Sequence, residues 1–202
     1  MGGYFMQILK NKTKKLAATI VALSVIGASS IFGIDIATKP TDHSQIISEI
    51  GLGVRGETLR ASVNRVIDGD TFEIIYNDIP TKVRLIGVDT PETVKSGTPI
   101  QFYGKESSDF TKKTLEGKTV TLEFDKERYD LYKRLLAYVY LSNGDMLNLI
   151  LLHRGYATVK FYSPNTKYKK VFLDVEQRAL ESNIGRWNTT SQSVWEKKYT
   201  KE

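Results

Sequence analysis

The chain has 202 residues, 41% of them hydrophobic and 26% charged, which is the balance of a folded protein with room for one ordinary domain and a leader or tail. It has no cysteine and two histidines, which excludes disulfides and thiolate metal centres and makes an imidazole cage or a Ser-His triad a poor fit. The net charge of +6 is inflated by Lys10, Lys12, Lys14 and Lys15; from residue 36 onward 25 basic face 22 acidic side chains, a mild surplus that permits a polyanionic partner without requiring one.

Residues 1–35 read as a signal peptide or an N-terminal membrane anchor. Lys10 to Lys15 form a basic n-region, Leu16 to Gly27 an apolar h-region, and Ala28-Ser-Ser30 offers small residues for cleavage. Either outcome places the remainder outside the cytoplasm, secreted or on the extracellular face of the membrane. Residues 36–57 are a polar linker, with a short helix expected at Ser44 to Ile50. The domain is expected at 58–188, with 189–202 a polar tail.

Three strand-like runs open the domain: Leu59 to Ile67, Thr71 to Tyr76, and Thr81 to Val88, the last two separated by the turn Asn77-Asp-Ile-Pro80. A loop runs from Asp89 to Pro99. A helix is predicted over Tyr103 to Leu115, strands over Lys118 to Phe124 and Arg134 to Leu141, and a turn at Asn143-Gly144. Asp145 is expected to cap a helix ending at Gly155, and a longer helix is predicted over Asn165 to Ser182. Tyr138, Tyr140 and Tyr156 read as core or wall residues, and His153 as a helix-end or surface residue. Short, close-linked strands with one interrupting helix do not suit a doubly wound sheet. They suit an α+β fold, a five-stranded OB-type β-barrel with about three α-helices.

Five charged residues carry the chemical reading. Asp70 follows Gly69 between two strands, and Asp89 ends the third strand before Thr90 and Pro91. If those strands are neighbours, the two carboxylates meet, and paired anions recruit a cation. All-oxygen ligation favours Ca²⁺ or Mg²⁺, with the Thr90 carbonyl as a further ligand. Glu92, three residues beyond Asp89, is placed to position or deprotonate a water. Arg84 and Arg134 have the forked donors that match phosphate oxygens. Tyr132, Phe161 and Tyr162 are candidates to contact a nucleotide by stacking.

Together these patches resemble the staphylococcal nuclease family. The matching stretches are Val66-Ile-Asp-Gly-Asp-Thr71, Val83-Arg-Leu-Ile-Gly-Val-Asp-Thr-Pro-Glu92, Tyr103-Gly-Lys-Glu-Ser-Ser108, Leu135-Leu-Ala-Tyr-Val-Tyr140 and Asn183-Ile-Gly-Arg-Trp187. The resemblance implies an OB-fold, Ca²⁺-dependent hydrolysis of DNA and RNA, and products with 3′-phosphate ends. It assigns Asp70, Asp89 and the Thr90 carbonyl to calcium, Glu92 to the attacking water, Arg84 and Arg134 to phosphate, and Tyr132 to the nucleotide; a monomer is expected. Two departures stand out. Leu131-Tyr-Lys-Arg134 replaces the family's Lys-Tyr-Gly-Arg, and the family's paired tyrosines correspond only roughly to Phe161 and Tyr162. The rival reading is a non-catalytic OB module that binds nucleic acid or an envelope polymer. Such a module has no need of all five charged positions, and all five are present.

Overall fold

The computed structural model describes residues 56–93 and 101–199, with side chains described up to residue 196. The leader, the linker with its expected helix, and the loop stretch 94–100 lie outside the described residues.

Five strands close into a barrel in the order β1 (Thr58–Asp68), β2 (Thr71–Tyr76), β3 (Ile79–Leu85), β6 (Leu135–Tyr140), β5 (Thr119–Glu123). The pairings are antiparallel except β3 with β6, which is parallel. Alternation along the strands fills the interior with Val63, Phe72, Ile74, Val83, Leu85, Leu122, Leu135, Ala137 and Val139, all buried. The β2–β3 hairpin turns on Asn77 and Asp78, both at positive φ (49° and 60°), the left-handed geometry that a two-residue hairpin needs. β3 begins at Ile79, inside the stretch expected to be turn.

The run read as one strand from Thr81 to Val88 is two. Gly87 takes φ 77° and breaks it, so that Gly87–Asp89 forms a separate strand, β4. A Cβ on Gly87 would lie 2.4 Å from the Phe161 ring, so the position also serves as a seat for that ring. β4 pairs antiparallel with β7 (Thr158–Lys160), a strand that no sequence pattern indicated.

Four helices lie among the described residues: α1 (Gly104–Leu115), α2 (Leu147–His153), α3 (Lys169–Glu181) and α4 (Thr189–Tyr199). α1 packs on β1, and α2 packs against β6 and α3. The helices differ from expectation at several points. α2 is buried along its whole length, His153 included. Asp145 does not cap it; its carboxylate instead accepts from Asn143 Nδ2 at 2.8 Å. α3 starts four residues late because Asn165 is engaged elsewhere: its side chain clamps the Glu127 backbone on both sides at 2.8 Å. The segment read as a polar tail carries α4.

Below the barrel, Glu123 is fully buried with its charge met by Lys167 and by the hydroxyls of Tyr140 (2.8 Å) and Tyr168 (3.0 Å). Tyr138, also fully buried, donates to Asp125 at 3.1 Å. Burial and these acidic neighbours push the phenols of Tyr138 and Tyr140 far above the usual tyrosine range, so they remain neutral donors.

Candidate active site

The mouth of the barrel, where β1 turns into β2 and β3 runs out into β4, encloses a hollow of about 260 Å³. Asp68, Asp70, Arg84, Asp89, Glu92 and Arg134 line it, with Lys82 at the side. All five charged residues singled out from the sequence therefore share one cavity.

Asp70 sits in the tight β1–β2 turn. Gly69 is required there: a Cβ would lie 2.7 Å from Thr90 Oγ1 and 2.9 Å from two Thr90 carbons. From α1, Thr111 donates to the Gly69 carbonyl at 2.7 Å and holds the turn in place. One Asp70 oxygen accepts from the Thr90 amide (2.8 Å) and hydroxyl (3.0 Å); the other accepts from Thr71 at 3.1 Å. Thr90, itself buried, thus braces Asp70 through its amide and side chain.

Arg84 lies across the floor. Nη1 donates to the carbonyls of Leu85 (3.0 Å) and Val88 (2.7 Å), while Nη2 reaches Asp70 at 3.1 Å and Asp89 at 2.8 Å. One nitrogen touches both carboxylates, so Asp70 and Asp89 converge on the Arg84 guanidinium. Their donors are all hard oxygens, which suit Ca²⁺ or Mg²⁺. Among the described residues no group of three or more acidic or imidazole side chains forms a cage. Two carboxylates alone would leave such an ion to complete its shell from backbone carbonyl, water or substrate.

Glu92 is fixed through its backbone: its amide donates to Gln101 Oε1 and its carbonyl accepts the Gln101 amide, both at 3.1 Å. Gly104, opening α1, lets that helix approach within contact of the Pro91 and Glu92 carbonyls.

Arg134 lines the same hollow from the loop before β6. Its position is set by Asp130, which the sequence reading overlooked. Asp130 accepts from the amides of Tyr132 and Arg134 at 2.9 Å each and from Arg134 Nε at 2.6 Å. The Lys133 that replaces glycine adopts φ 60°, the left-handed region. Asp68 was also missed. It is buried, accepts from the Gly69 amide at 2.7 Å and from Thr93 at 2.8 Å, and burial pushes its carboxyl up, with smaller contributions from Asp70 and Glu92. The Asp68-Gly-Asp70 spacing was the available signal.

The aromatic candidates divide. Tyr132 is largely exposed and its ring lies 5.4 Å from the Arg134 guanidinium, on the rim. Tyr162 is exposed, beside Lys160. Phe161 is partly buried: its ring is packed over Gly87 and lies 5.3 Å from Phe172, at the edge of the hydrophobic core.

A closed barrel with these charged groups gathered at one hollow belongs to a lineage that comparison with known proteins identifies. Residues 82–189 match the family described as staphylococcal nuclease homologue. The chain is 48% identical over 134 residues to the thermonuclease of Staphylococcus intermedius, covering 66% of this chain and 78% of that protein. It is 47% identical over 126 residues to the thermonuclease of Staphylococcus hyicus, covering 62% and 74%. To endonuclease YncB of Bacillus subtilis (strain 168) it is 42% identical over 132 residues, covering 64% and 62%. The chain belongs to the staphylococcal nuclease family, and its enzymatic class is that of a nuclease.

Proposed function

We propose that this protein is an exported, calcium-dependent phosphodiesterase that cleaves DNA and RNA and leaves 3′-phosphate ends. The observation that carries the reading is the single hollow shared by Asp70, Arg84, Asp89, Glu92 and Arg134. Four carboxylates and three cationic side chains line it, so a phosphodiester entering alone meets net negative charge. A divalent ion held by Asp70, Asp89 and the Thr90 carbonyl would supply the missing positive charge and polarise the phosphoryl group.

The chain's own residues then divide the work. Glu92 orients a water and takes one of its protons as the water oxygen bonds to phosphorus. The bond from phosphorus to the 5′-oxygen breaks in line, and that oxygen leaves with a proton from solvent. Arg84 and Arg134 stabilise the charge that builds on the phosphoryl oxygens. Tyr132 borders the path of the adjoining nucleotide. Phosphates of an exposed single strand reach such a hollow more readily than those of a stiff duplex, which favours single-stranded or fraying substrate. Export is supported by the basic and apolar pattern of residues 10–30.

The test is digestion of plasmid and of single-stranded oligonucleotide with calcium and with a calcium chelator, followed by end-group analysis. Cleavage that stops in chelator and yields 3′-phosphate ends supports the proposal. Undiminished cleavage in chelator refutes the calcium assignment.

A further inference from the structure

Both oxygens of Asp89 are taken by cations, and the two cations are held in different ways. On Oδ1 is Arg84, whose guanidinium is also fastened to two main-chain carbonyls and to Asp70 and is only 14% exposed. On Oδ2 is Lys160 Nζ, at 3.0 Å. The sheet puts Lys160 there. In the β4–β7 ladder Asp89 lies opposite Thr158, and Lys160 is two residues on, facing the same side within reach of a long side chain. Thr158 steadies the register with a 3.3 Å bond to the Asp89 carbonyl. Lys160 itself is 46% exposed and otherwise engages only Tyr162, through a side-chain hydrogen bond and a ring 6.0 Å away.

We propose that Lys160 is a tethered cation that competes with the divalent ion for Asp89 and thereby sets how tightly the hollow holds that ion. The inference rests on the reading of Asp89 as an ion-holding carboxylate. Of the two cations on Asp89, Arg84 cannot leave without abandoning two buried carbonyls, which would then lack donors. Lys160 has one charged contact and a flexible four-carbon stem that swings into solvent at little cost. An ion that takes Asp89 Oδ2 must displace Lys160 or bind beside its positive charge, and both weaken binding. The device lowers affinity for the ion while leaving the phosphate-binding arginines in place.

Calcium binding to the full-length protein, measured by isothermal titration calorimetry, tests this without reference to turnover. Lys160→Ala, and Lys160→Met, which keeps the apolar stem, should each tighten the calcium Kd about fivefold at low salt. The gain should shrink at about 0.5 M salt, where surface charge is screened. Lys160→Arg should leave the affinity near wild type. If Asp89→Asn weakens calcium binding but neither neutral Lys160 variant tightens it, Lys160 is a bystander and the proposal falls alone. If the wild type does not bind calcium, or Asp89→Asn binds it unchanged, the assignment of Asp89 fails and the proposal falls with it.

Discussion

The floor and the rim of the hollow present the same kind of group, an arginine beside an aspartate, on two different supports. Arg84 is fastened to two carbonyls and two carboxylates at the barrel mouth, and its neighbour Asp70 is braced by Thr71 and Thr90. Arg134 hangs on a loop organised by one side chain, Asp130, which holds two amides and the guanidinium itself. The floor is part of the fold, so changing it disturbs structure and chemistry together. The rim is a local device, so changing it should cost chemistry with little cost to stability.

The largest expected effect is at the rim. Arg134→Ala should lower turnover on single-stranded DNA by about 10³–10⁵-fold. Its thermal unfolding, followed by circular dichroism, should stay close to wild type. A parallel loss of stability would break the distinction between floor and rim. Next is Asp130→Ala, which leaves Arg134 present but unanchored; activity should fall about 10²-fold. Arg134→Ala added to it should then have less effect than in the parent, and full additivity in a double-mutant cycle would show that Asp130 acts elsewhere.

On the floor, Gly69→Ala forces a methyl group against the Thr90 side chain and should destabilise the protein by about 1–3 kcal/mol in urea unfolding, with activity lost as well. The smallest effect sharpens the contrast in the other direction. Lys133→Gly removes a side chain from a left-handed backbone position and should stabilise by about 0.5–1 kcal/mol, offset in part by the freer unfolded chain. Destabilisation would mean that the Lys133 side chain makes a compensating contact.

The same contrast explains what could be read without coordinates. The floor was legible because each of its residues belongs to a strand end or tight turn. Asp70 after Gly69 and Asp89 before Thr-Pro carry local signals, and the alternation of β1 to β3 makes their convergence a consequence of barrel closure. The β3–β4 break was not legible, since Thr81 to Val88 is continuous in strand character and only Gly87's φ divides it. β7 has three residues, too few for a period, so neither Lys160 beside Asp89 nor the packing of Phe161 over Gly87 had a signal. Asp130 looked like any loop acid, because its three bonds depend on how the loop folds back. Asp145 misled for a related reason: Asn143 competes for its carboxylate and the helix begins without a side-chain cap.

If one hollow receives the scissile phosphodiester, titrating the protein with a non-cleavable phosphorothioate oligonucleotide in the presence of calcium should move amide NMR signals around that hollow. Shifts should concentrate at Asp68–Thr71, Arg84–Glu92 and Asp130–Arg134. Shifts confined to the exposed Ile75–Ile79 hairpin, with the barrel mouth unchanged, would contradict it.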